Sequence, residues 1–249
     1  MRSIVCLCIC ACALTACGGS GGDARVGHDL DDAARVDAEA PIDGGDARDD
    51  GAPLDAPDAH ALTAAHYVSR VVSFTKGDGG GYGQDKMPTV VEGPPHGGGC
   101  CAGSTDVLSL GDGGEIVVAF DVEIVDGPGV DLLVFENPFE IGGDKTNILA
   151  ELGEVSVSED GVSWSTFPCT AREYPYGACA GWHPVYATPD DPVDVDHPEK
   201  AGGDPFDLAD LGVTRAKFVR VRDMRTKIPS ISATAGFDLD AMAVIHTGS

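Results

Sequence analysis

The chain has 249 residues, of which 41 are acidic and 16 basic, for a formal net charge of −25 at pH 7. Such a balance argues against nucleic acid as a partner and against an electrostatic hold on anionic lipid, because both need a cationic face. It leaves neutral or cationic polar groups and divalent cations as fitting ligands.

Arg2 precedes an apolar run, Ile4 to Ala13. The run is too short to cross a bilayer, which takes roughly 20 apolar residues. Leu14-Thr15-Ala16-Cys17 follows it: an aliphatic residue, two small ones and a cysteine. This opening resembles the export signal of bacterial lipoproteins. The resemblance implies that residues 1–16 are a removed signal peptide. It also implies that Cys17 carries fatty acyl chains such as palmitate, making membrane lipid the first partner. Several acyl chains, at about 0.8 kcal/mol per buried CH₂, anchor a protein stably. Gly18 rather than an aspartate after Cys17 favours the outer membrane under the enterobacterial sorting rule.

Residues 18–62 hold twelve acidic residues, three basic ones and almost no large apolar side chains. A segment of that composition cannot bury enough apolar surface to offset the entropy of ordering it. Residues 17–62 therefore read as a lipidated cysteine followed by a disordered Asp/Ala/Gly/Pro tether, with a reach of about 35–40 Å. Residues 63–249 read as one domain.

Within that domain no segment of useful length has helical periodicity, although residues 208–216 suit one helical turn. Short β-branched runs bounded by Gly, Pro and Asp recur instead, which is the pattern of an all-β sandwich. Strands are expected at His66–Phe74, Thr89–Glu92, Asp106–Leu110 and Glu115–Val125. Asp131–Asn137 is apolar in its middle and reads as a central strand buried on both faces. Glu154–Ser158 and Val162–Phe167 alternate around Asp160-Gly161, a dipeptide suited to a type I′ hairpin turn. Ala216–Arg222 sets Val219 and Val221 against Arg220 and Arg222. Gly236–His246 closes the domain. About eight or nine strands suits a jelly roll. Residues 168–204 form a long insertion between strands, and loops of that length are usually functional or disordered.

Four cysteines, Cys6, Cys8, Cys10 and Cys12, lie in the signal. Cys100, Cys101, Cys169 and Cys179 would work in an oxidising compartment, where disulfides persist. Cys169–Cys179 is the expected disulfide, which leaves Cys100 and Cys101 as a vicinal bridge or two free thiols. Neither spacing suits zinc.

Two wider resemblances follow from these stretches. EVSVSEDGVSWSTF, RAKFVRVRD and GFDLDAMAVI resemble strands of the discoidin and carbohydrate-binding-module superfamily, the galactose-binding-like β-sandwiches. VSFTKGDGGGYGQD, EGPPHGGG, IVDGPGVDLLVFENPF and AGGDPFDLADLG resemble a group of uncharacterised bacterial cell-surface proteins. The first implies a jelly-roll fold and a glycan or another surface ligand. The second brings no activity. The insertion and the DLLVFEN strand depart from the discoidin pattern, so no ligand site carries over.

Calcium needs six to eight oxygen ligands, and clustered carboxylates and amides supply them. The candidates are Asp126 and Asp131, Glu136 and Asn137, Asp204 and Asp207, and Asp238 and Asp240. By strand alternation Asp238 and Asp240 share a face with Met242 and Val244. Their alternative partners are Arg220 and Arg222. The superfamily resemblance places a structural calcium near this strand end. The acidic stretch 190–199 reads as a solvated loop. Tyr174, Tyr176, Trp182 and Tyr186 are candidate sugar-stacking residues, or else pack the insertion onto the sandwich. Trp164 reads as core. No catalytic pattern survives inspection: the Gly18–Gly22 match to G-x-S-x-G falls in the tether, not at a strand-to-helix elbow. The expectation is a non-enzymatic, lipid-anchored envelope protein binding a glycan or another envelope component. Its alternative is a structural or adhesive protein with no small-molecule site, and a hydrolase is the last choice.

Overall fold

The computed structural model describes residues 61–225 and 236–248; the signal, Cys17 and nearly all of the tether lie outside them. The strands are β1 (Arg70–Thr75), β2 (Leu108–Ser109), β3 (Glu115–Val125), β4 (Leu132–Phe135), β5 (Phe139–Glu140), β6 (Ile148–Leu149) and β7 (Gly153–Ser158). They continue as β8 (Ser165–Thr166), β9 (Asp204–Phe206), β10 (Arg215–Asp223), β11 (Asp238–Leu239), β12 (Ala241–Val244) and β13 (Thr247–Gly248). Every described strand pair is antiparallel. The only described helical segments are 3-10 turns of three or four residues, so the fold is all-β.

One sheet runs β1-β3-β10-β7-β8, with β13 also paired to β3. Its centre follows directly from the sequence. β10 places Val219 and Val221 in the core and turns Arg220 and Arg222 outward. Arg222 lies opposite Glu115 on β3 and Glu154 on β7. Its guanidinium reaches the two carboxylates at 2.7 and 3.9 Å. Cross-strand pairs of this kind fix register as well as adding a few tenths of a kcal/mol, about 0.2–1 each.

A second layer is β12-β4-β9, continued by the short pair β11-β2. Ile116 and Val118 on β3, Val155 and Val157 on β7, and Val219 on β10 meet Leu132 and Val134 of β4 with Met242 and Val244 of β12. That contact is the main core of a sandwich-like fold. Leu133 and Phe135 point the other way, into a second cluster with Val185, Ala187, Val193 and Ala201. The insertion therefore covers the outer face of the smaller sheet. This is the physical reason that β4 is apolar at every position: it is buried on both faces, as the sequence suggests.

Ala61 and Leu62 are already attached to the domain. Ala61 bridges Asp194, and the Leu62 N–H donates to the Val193 carbonyl at 3.2 Å.

Other expectations need correction. Thr89–Val91 is a 3-10 turn rather than a strand, and the first strand starts at Arg70 after a 3-10 turn at Ala64–His66. The Asp160-Gly161 turn is wider than a two-residue hairpin. Gly161 does adopt φ 74°, but the Asp160 carboxylate accepts from the Val162 and Ser163 amides at 2.8 and 2.7 Å. The side chain thus takes donors that a tight ladder would need, and β8 shrinks to Ser165–Thr166. Those same bonds hold the Asp160 carboxyl down to about 2. Trp164 is half-buried outside the core, with the Arg220 guanidinium 4.6 Å above its ring.

Asp238 and Asp240 do not share a face with Met242 and Val244. β11 pairs with β2 and β12 pairs with β4, so the chain changes partner at Asp240 and the two-residue period breaks there. Arg220 and Arg222 serve Ser156, Glu115 and Glu154 instead of these aspartates.

Candidate functional site

The insertion is tied down before it can form a site. Cys169 and Cys179 are disulfide-bonded and buried with Ile148, Ala150 and Leu152. Trp182 and Tyr176 pack on that cluster, and the indole N–H donates to the Cys179 carbonyl at 2.9 Å. The glycine-rich stretch before Cys100 clips onto the same insertion. The Gly97 and Gly99 amides donate to the Ala187 and Val185 carbonyls, each at 2.9 Å. A β-carbon at Gly97 would strike those carbonyls, so the position requires glycine.

Above this base lies an open cleft of about 450 Å³. Tyr174, Trp182 and Tyr186 line it, so three of the four aromatic candidates converge. The fourth, Tyr176, stands behind them. Tyr174, Tyr176 and Trp182 meet edge to face, with centroids 5.8–6.4 Å apart. That geometry suits the aromatic quadrupole and fixes the ring planes. Tyr174 and Tyr186 stay 43% and 47% exposed, with ring surface free for a ligand. Tyr176 thus packs the loop, while Tyr174 and Tyr186 face solvent.

Four polar side chains that the sequence did not single out also line the cleft: Glu140, Lys145, His183 and Glu199. Glu140 is buried on β5, and its amide donates to the Cys100 carbonyl at 2.7 Å. Cys100 and Cys101 form a vicinal disulfide beside it. Trp182 and His183 rings stack at 3.6 Å between centroids. Only the Trp-His adjacency hinted at His183. Nothing in the local sequence marks Glu140 and Lys145, because the β5-β6 hairpin reaches the cleft through tertiary pairing, and Glu199 lies in the acidic stretch read as a solvated loop.

The buried aspartates prove to be clamps for backbone amides. Asp204 accepts from the Gly181 and Trp182 amides at 2.6 and 3.3 Å and from His183 Nδ1 at 2.8 Å. It thereby sets the aromatic wall of the cleft. Burial raises its carboxyl above the usual range despite those donors. Asp131 accepts from the Gly127 and Leu208 amides and His246 Nδ1, all at 2.8 Å. Asp223, which the sequence reading passed over, accepts from the Gly113, Arg225 and Phe237 amides at 2.7–2.9 Å. Asp240 accepts from the His96 amide at 2.9 Å, and burial pushes it up to about 7. Asp207 caps the 3-10 turn Leu208–Leu211 by accepting from the Ala209 amide. Asp126 is exposed within reach of Asp131 and Asp207.

Glu136 and Asp238 differ from these. Glu136 Oε2 and Asp238 Oδ1 are buried and have no hydrogen-bond partner. Asn137 Oδ1 is likewise buried without one, packed against Gly103. Ligand oxygens of Glu136, Glu151 and Asp238 all lie within 4.8 Å of one another. Glu151 had no distinguishing sequence signal. Burial drives Glu136 well above the ordinary carboxyl range, and it lifts Glu151 to about 7 and Asp238 to about 6. Of the expected calcium ligands, Asp126, Asp131 and Asp207 gather in one group and Glu136 and Asp238 in another with Glu151, while Asp204 and Asp240 join neither.

No known protein family matches this chain, and no curated protein matches it as a relative.

Proposed function

We propose that this protein is a lipid-anchored component of the cell envelope, most simply of the outer membrane, that displays a galactose-binding-like jelly roll and binds a glycan without catalysis. The cleft carries the reading. Sugar rings offer apolar C–H faces for stacking and hydroxyls that both donate and accept. Tyr174, Trp182 and Tyr186 supply the stacking surface, and Glu140, Lys145, His183 and Glu199 supply the polar rim. An aromatic wall with a few converging polar groups is the usual make-up of a small-ligand site. No serine, threonine or cysteine is among the residues lining the cleft, and Asp204 holds backbone amides as well as His183. Those facts favour binding over hydrolysis through a serine, threonine or cysteine nucleophile.

A glycan array probed with the mature protein tests this. Binding that falls about tenfold or more in Tyr186→Ala and Tyr174→Ala is the expected result, the loss common for a buried aromatic anchor. Silence on every glycan would favour the purely structural or adhesive reading.

Lipid anchoring rests on the Leu14–Cys17 motif and the apolar run before it. Labelled palmitate is expected to enter the wild-type protein and not Cys17→Ser, which should leave the membrane fraction. Equal labelling of both, or of neither, contradicts the anchor.

A further inference from the structure

Glu136, Glu151 and Asp238 come from three separate stretches of chain. Glu136 follows β4, Glu151 lies between β6 and β7, and Asp238 opens β11. Glu136 and Glu151 are each tied to a backbone amide. Glu136 Oε1 accepts from the Asp238 amide at 3.2 Å, and Glu151 Oε1 accepts from the Gly236 amide at 3.0 Å. Asp238 sits opposite Ser109 in the β11-β2 ladder. What remains is a set of carboxylate oxygens facing one another. Glu136 is only 3% exposed, yet Oε2 has no partner; Asp238 Oδ1 is buried without one as well, with the Ser109 hydroxyl beside that carboxylate.

An unpaired buried carboxylate is costly, and the native solution is a partner charge or a metal. No lysine, arginine or histidine is bonded to any of the three among the described residues. The all-oxygen donor set then points to a hard divalent cation. Carboxylate oxygens within 4.8 Å of one another are close enough to share one oxygen-ligated cation, and calcium accepts an irregular set of six to eight oxygens at 2.3–2.6 Å. Magnesium, at 2.0–2.1 Å, would demand a tighter and more regular set.

We propose that Glu136, Glu151 and Asp238 form a binding site for a calcium-sized divalent cation, with Ser109 Oγ beside it. The site has a structural consequence. Residues 137–150 include the β5-β6 hairpin, which supplies Glu140, Lys145 and Ile148 to the cleft. Glu136 and Glu151 flank that segment at its two ends. A shared cation would therefore pin the base of one cleft wall. The proposal stands independently of what the cleft binds.

The test uses the mature protein stripped with EDTA and then titrated with calcium alone or magnesium alone. Calcium is expected to bind at one saturable site per chain and to raise the melting midpoint by about 5–10 °C at a hundredfold excess over its dissociation constant. Magnesium should give a smaller rise. Glu136→Gln with Asp238→Asn should remove the calcium response. Glu151→Gln, at the more exposed edge, serves as a second variant whose fold is checked by circular dichroism, and it should weaken calcium binding at least tenfold. No calcium response in the wild type would overturn the site, because the three carboxyls would then be held by protons alone. Full calcium binding by both variants would overturn it too, by placing the ion elsewhere. Cleft binding is measured separately, so loss of one reading leaves the other distinguishable.

Discussion

Replacing Asp204 with alanine is expected to cost the domain about 3–5 kcal/mol, the penalty for removing one partner of a buried charged network. It is also expected to abolish binding in the aromatic cleft. Asp204 is buried, and its carboxylate meets three donors from consecutive residues, Gly181, Trp182 and His183. Without it the Gly181 amide has no acceptor and the tryptophan loses the constraint that aims its ring. The Cys169–Cys179 disulfide and the Trp182 indole bond to Cys179 would still hold the insertion nearby. Loss of binding should therefore exceed what the drop in stability alone explains. Denaturant unfolding gives the stability loss, the glycan array gives the binding loss, and amide exchange at Gly181 and Trp182 reports the clamp itself. A variant with wild-type exchange at those amides would refute the clamp. Asp204→Asn keeps one acceptor and should fall between the two.

The second large effect belongs to Asp131. Its carboxylate ties the start of β4 to the Leu208 amide at the 3-10 turn and to His246 after β12. Its own amide donates to the Phe206 carbonyl at 2.9 Å. Asp131→Ala removes three charge-assisted bonds from a fully buried position, and a loss of about 3–5 kcal/mol is again expected. A typical domain holds only about 5–15 kcal/mol in all, so this variant should unfold at a much lower denaturant concentration. None of the residues that Asp131 bonds lines the cleft. At low temperature, ligand binding by the surviving folded fraction should stay intact. A midpoint unchanged from wild type would show that Asp131 carries no such load.

Why the strands were easier to read than the site follows from these two residues. β3, β4 and β10 announce themselves because side-chain period and burial are local properties: Val219 and Val221 alternate with Arg220 and Arg222 whatever lies across the sheet. The turn at Thr89–Val91 fails the same reading. Its β-branched residues are followed by Gly93-Pro94-Pro95, and no described strand pairs with them. Alternation also fails at Asp240, since a period of two holds only while the strand keeps one partner.

The carboxylates are harder still. A metal ligand and an amide clamp are the same residue in sequence, and the partners that separate them are remote. Leu208 is 77 positions from Asp131, and His96 is 144 from Asp240. Aspartate pairs at Asp204/Asp207 and Asp238/Asp240 suggested shared ion sites, yet each member faces a different neighbour. Conversely, Glu151 joins Glu136 and Asp238 without any local motif, because the strands that deliver them are adjacent only after folding. The aromatic cluster was legible, since Tyr174, Tyr176, Trp182 and Tyr186 crowd one loop. Its polar rim was not, since Glu140 and Lys145 arrive from another hairpin.

Glycan binding in the cleft is most directly tested by hydroxyl-radical footprinting of the mature protein with and without the glycan identified on the array. Tyr174 and Tyr186 should lose reactivity on binding. Tyr82, 49% exposed and not among the residues lining the cleft, should react equally in both states. Undiminished labelling of Tyr174 and Tyr186 at saturating glycan would contradict the account.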